Sequence, residues 1–146
     1  MNIKTGKVTA IFLSCMISFG IAHAQLNWYT VNQKGKGKVG MNGKIAVDAW
    51  AVSNATVTID LQNSNIYIYD NGKTRHFNIT ERLTQAKSDK ENTKVFEATN
   101  EEGINCKIGL CEYNQNKQNM QLSVYLPDGV AYVYKIRNQN INKEGK

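Results

Sequence analysis

From Leu26 onward, apolar residues recur at every second position in short runs, and Gly, Asn and Asp break those runs at regular intervals. A strand with one buried face has this period of two, because successive side chains leave a pleated backbone on opposite sides. The pattern predicts strands near Leu26 to Val31, Lys44 to Val52, Ala55 to Leu61, Asn65 to Asp70, Thr74 to Thr80, Lys94 to Thr99, Ile104 to Glu112, Met120 to Leu126 and Val130 to Arg137. Helical spacing is nearly absent. The expected fold is all-β, a small antiparallel up-and-down barrel or closed sandwich of about eight or nine strands.

The turns carry their own chemistry. Asn71-Gly72 stands between two strand patterns, and both residues tolerate the positive φ that a two-residue hairpin demands. Pro127-Asp128-Gly129 joins the last two strands, with the only proline of the chain in the turn, where its missing N–H costs nothing. Glu101-Glu102-Gly103 joins the strands on either side of it. Two segments lack strand character. Glu81 to Asn92 is polar and is expected as a turn of helix or an exposed loop, and Asn138 to Lys146 is expected as a disordered tail.

The N-terminus changes the setting. Lys4 and Lys7 precede an uncharged stretch from Val8 to Ala22, and Ala22-His23-Ala24 supplies small residues for signal peptidase. This is the order of a secretory signal over residues 1–24, too short and too interrupted for a stable membrane anchor. Cleavage after Ala24 would leave one β domain over 25–146, in the periplasm or outside the cell. The signal removes two of the 18 basic residues and no acid, so 16 basic face 12 acidic residues, a net of +4. So small an excess argues for solubility and against a nucleic-acid partner.

Little in the exported part resembles catalytic chemistry. Cys106 and Cys111 are its only cysteines. On one strand they lie five steps, or about 16 Å, apart and on opposite faces, whereas a disulfide needs roughly 4.4–6.8 Å between Cα atoms. Cys106 then reads as a core residue beside Ile104, Ile108 and Leu110; a tight turn at Ile108-Gly109 is the alternative that would bring the sulfurs together. His76 lies opposite Phe77 and Ile79 and is expected on a solvent face, with no nucleophile placed beside it by the sequence. Two cysteines and one histidine fall short of a structural zinc site. No catalytic residue, metal or cofactor is expected, and the chain is not read as an enzyme.

Two features rise above this background. Gly35 to Gly40 has the spacing of a phosphate loop, but Met41 and Asn42 stand where Lys and Ser or Thr are required. The segment reads as a solvated loop or a lysine-protected edge strand; alternatively, Lys34, Lys36 and Lys38 form a cationic strip that meets an acidic partner. Ile66-Tyr67-Ile68-Tyr69 and Val130-Ala131-Tyr132-Val133-Tyr134 are apolar on both faces. The second face is expected to be covered by the N-terminal segment carrying Trp28 and Tyr29, or else to serve a ligand or partner. Tyr67, Tyr69, Tyr132 and Tyr134 therefore join the three lysines as candidate binding residues.

Phe96-Glu97-Ala98-Thr99, Glu102-Gly103-Ile104-Asn105-Cys106, Val124-Tyr125 and Val130 to Tyr134 together resemble small exported bacterial β-sheet proteins. The resemblance covers roughly the C-terminal third, departs from the usual pattern in its added Cys111, and implies a scaffold and no activity. The functional expectation is a non-catalytic protein-binding module such as an inhibitor; the alternatives are a calycin-like carrier of a small apolar ligand and, last, an enzyme.

Overall fold

Alternating side chains need a closed surface to bury their apolar half, and antiparallel strands that meet end to end supply it. The computed structural model describes residues 26–139. Nine strands run in chain order: β1 (Leu26–Val39), β2 (Ile45–Val52), β3 (Thr56–Asp60), β4 (Asn65–Asp70), β5 (Lys73–Lys87), β6 (Glu91–Asn100), β7 (Asn105–Tyr113), β8 (Asn116–Tyr125) and β9 (Val130–Asn138). The early half of β1 pairs with β3, each of β3 to β8 pairs with the next, and β9 returns to pair with β1. Eight strands thus close an antiparallel barrel, with β2 as an extra strand on the late half of β1. The expected signal and residues 140–146 of the expected tail lie outside the described residues.

The inward set fills the barrel centre. Ile59, Ile66, Phe77, Phe96, Ile108 and Leu122 are each no more than 1% exposed, and they belong to one continuous core. The Asn71-Gly72 hairpin forms as its residues require, with φ of 50° and 77°. Cys106 is buried in the core and Cys111 faces away from it, with both thiols free.

Four expectations are corrected. Lys34 to Lys38 is neither a loop nor an edge, because β1 continues to Val39 with β9 on one side and β2 on the other. Glu81 to Asn92 is mostly strand: β5 runs to Lys87 and β6 starts at Glu91. All side chains from Glu81 to Glu91 are exposed, so this arm has no apolar alternation to read and is held by its ladder to β6. Its tip is tied by Asn114, whose side-chain amide donates to the Ser88 and Asp89 carbonyls at 2.9 and 3.0 Å. Asn138, expected in the tail, pairs with Tyr29. Finally, Trp28 and Tyr29 do not cover a second apolar face: Tyr29 is core, and Trp28 stays 43% exposed.

Tyr29 provides a test of the packing. Burial, aided by the negative charge of Glu112, pushes its hydroxyl from 10.0 up to about 12. The unfolded chain ionises first, so this contribution is intact below pH 10 and is lost as pH rises towards 12, a fall of about 2–3 kcal/mol. Urea midpoints measured across that window are expected to drop more steeply for the parent protein than for Tyr29→Phe. Parallel slopes would place the hydroxyl in water.

Candidate functional site

A single irregularity in β1 decides what faces the barrel interior. Tyr29 and Val31 point inward and pair with Asn138 and Ile136; then the register slips between Val31 and Gln33, leaving Asn32 as the extra residue. A bulge of this kind exchanges the two faces of a strand. Beyond it the even positions point inward, so Lys34 lies opposite Tyr134 and Lys36 opposite Tyr132. Without the slip the lysines would face outward and Gly35 inward.

At the same end of the barrel, the β4–β5 hairpin brings its own inward residues. Asp70 pairs with Lys73 and Ile68 with Arg75 in the backbone ladder. Together with Ala49 and Ala51 of β2, these side chains line a cavity of about 470 Å³ at the barrel mouth, which also takes in Tyr132 and Tyr134. Four of its lining residues are cationic (Lys34, Lys36, Lys73 and Arg75) and Asp70 is the only acid.

Each charge has a physical setting. The Lys34 ammonium donates to the Asp70 carboxylate across 36 residues of chain, joining β1 to the β4–β5 turn. Its side chains are 35% and 21% exposed, so the pair contributes on the order of 1 kcal/mol or less. The Arg75 guanidinium carbon stands 5.6 Å from the Phe77 ring centre and 5.4 Å from that of Tyr132, close enough for cation–π attraction to both. Its nitrogen reaches Glu101 only at 4.0 Å. Burial pushes the Tyr134 hydroxyl up, and the positive charge of Arg75 acts against that rise. Lys36 sits 5.8 Å from the Tyr132 ring centre.

The seven candidate residues are therefore divided. Lys34, Lys36, Tyr132 and Tyr134 meet in the mouth, whereas Lys38 follows in the same phase opposite Val130 and does not line the cavity. Tyr67 and Tyr69 lie on the outer face, stacked with ring centres 6.2 Å apart. His76 is outward as expected but half-buried: its ring stacks on Tyr67 at 4.6 Å, and its Nε2 lies 2.7 Å from the Asn65 side-chain oxygen. Asp70, Lys73, Arg75, Ala49 and Ala51 were not singled out by the sequence. The signal for Arg75 was present, since it shares the Phe77 and Ile79 phase, where a cation has no place in an ordinary core.

The second face of β9 is covered by β2. Val133 is 1% exposed, and it lines an outer cavity with Ile45, Val47 and Trp50. The Trp50 ring centre lies 4.3 Å from the Lys135 ammonium. Among the described residues no three His, Cys, Asp or Glu side chains gather as metal ligands. Comparison with known proteins found no matching family model, no matching curated protein and no matching solved structure.

Proposed function

We propose that this chain is a non-catalytic binding module of the exported class that captures an anionic group in the mouth of its barrel. The observation that carries the reading is the convergence of Lys34, Lys36, Lys73 and Arg75 on one cavity that holds a single carboxylate, already engaged by Lys34. Ligand sites are concave, with a few polar groups set in apolar walls, and they fall in the size range of this mouth. The barrel centre is occupied by Phe77 and Phe96, so a ligand that approaches the inward face of the strands meets it at the mouth. Binding rather than catalysis is favoured because His76 contacts Tyr67 and Asn65, Cys106 lies on the opposite face of the sheet, and Cys111 lines an outer cavity that His76 does not share, so neither thiol has the imidazole as its base.

Titration of isotope-labelled protein with oligoglutamate and with oligolysine tests the charge preference. Oligoglutamate is expected to shift the backbone amide signals of Lys34, Lys36, Lys73 and Arg75, with the effect fading as salt is raised. The double variant Lys36→Glu, Lys73→Glu is expected to bind about tenfold or more weakly. Equal response to oligolysine, or shifts confined to other parts of the barrel, would remove the proposal.

A further inference from the structure

The mouth is not uniformly polar, and the arrangement of its two characters limits what it holds. Its cations stand on strands that face each other across the opening: Lys34 and Lys36 on β1, Lys73 and Arg75 on β5. Between them the wall is Ile68, Ala49, Ala51 and the rings of Tyr132 and Tyr134. Ile68 is fully buried and Tyr134 nearly so, and the open part of the cavity floor is apolar because it consists of the exposed Ala49 and Ala51 and the half-buried Tyr132 ring.

The cations also differ in what already satisfies them. Lys34 holds Asp70, and Arg75 is spread between two aromatic rings with Glu101 at 4.0 Å. Among the described residues, neither Lys36 nor Lys73 has a carboxylate within 4.0 Å. Lys36 lies beside the Tyr132 ring, so an ammonium without a carboxylate partner and an apolar surface adjoin one another.

A fully hydrophilic anion would leave that floor wet and gain nothing from it, while a neutral apolar ligand would strip water from Lys36 and Lys73 without replacing it. A carboxylate attached to an aliphatic chain satisfies both parts. The volume of about 470 Å³ suits a small molecule rather than a folded surface.

Building on the reading of the mouth as an anion site, we infer that its ligand is a small amphipathic carboxylate. The head group sits between Lys36 and Lys73, and the hydrocarbon lies on Ala49, Ala51 and the Tyr132 ring. The source is free monomeric acid, not a lipid head group within a bilayer.

A chain-length series tests this and separates its failure from failure of the anion reading. Acetate, hexanoate and decanoate are titrated against labelled protein, with decanol as the neutral control and vesicles of anionic phospholipid as the membrane control. Each buried methylene is worth about 0.8 kcal/mol, so affinity is expected to rise about three- to fourfold per carbon until the floor is covered. Shifts are expected at Ala49, Ala51, Tyr132, Lys36 and Lys73, and decanol is expected to bind at least about tenfold more weakly than decanoate. In the Lys36→Gln, Lys73→Gln double variant, checked for an unchanged circular dichroism spectrum, the preference for decanoate over decanol should vanish while the chain-length slope persists.

Affinity independent of chain length would overturn the amphiphile and leave the anion site standing. Decanol binding as tightly as decanoate would overturn both, as would an absence of mouth shifts with any probe. Vesicle binding without response to monomeric acids would overturn the free-acid assignment.

Discussion

Phe77→Ala is expected to lower the unfolding free energy by about 3–5 kcal/mol. Phe77 is fully buried at the barrel centre, paired with Ile66 on β4 and Asn100 on β6. Its ring also lies beneath the Arg75 guanidinium. Truncation removes apolar area and leaves a void that antiparallel neighbours on both sides cannot close without breaking the ladder. Against a typical total of about 5–15 kcal/mol, the loss takes a large share of the stability. Urea unfolding monitored by circular dichroism gives the value. Leu83→Ala, on the exposed arm of β5, serves as control and is expected within about 0.5 kcal/mol of the parent. If Phe77→Ala costs no more than that control, the barrel centre is not packed as described.

Gly37→Val is expected to detach β2 from the barrel while leaving the eight-stranded closure in place. A Cβ at Gly37 would lie 2.1 Å from the Ala46 carbonyl oxygen and 2.8 Å from its carbon. Both are backbone atoms, so relief requires β2 itself to move, and overpacking of this kind costs about 1–3 kcal/mol. The variant should show fast hydrogen exchange at β2 amides with protection retained in β4 to β8. Trp50 emission should shift to the red as the ring leaves Lys135. Gly109→Ala makes a useful contrast, because its Cβ would meet the Tyr125 ring at an ordinary 3.6 Å. Unchanged protection in β2 of Gly37→Val would show that this crossing is looser than drawn.

The fold was largely readable because its burial is simple. Ile66, Ile68, Phe77, Phe96 and Ile108 sit at every second position on the core side, and Asn71-Gly72 takes the positive φ its residues favour. The site was readable only in pieces. Lys34 and Lys36 drew notice as a cationic strip, and Tyr132 and Tyr134 as an apolar surplus. What joins them is the slip at Asn32 and the return of β9 to β1, and neither leaves a mark in local periodicity. A bulge adds one residue without requiring a special side chain, and closure is a long-range pairing. The arm from Glu81 to Lys87 went unread for the opposite reason: both of its faces are wet, so a period of two has nothing to alternate.

The anion site requires Lys36 to point into the barrel mouth beside Tyr132, and nuclear Overhauser contacts between those two side chains test this directly. Cross-peaks from the Tyr132 ring protons to the Lys36 side-chain methylenes, with none to Val47, are the predicted result. Cross-peaks linking Tyr132 to Val47, with the Lys36 side chain in contact only with solvent, would reverse the faces of β1 and contradict the site.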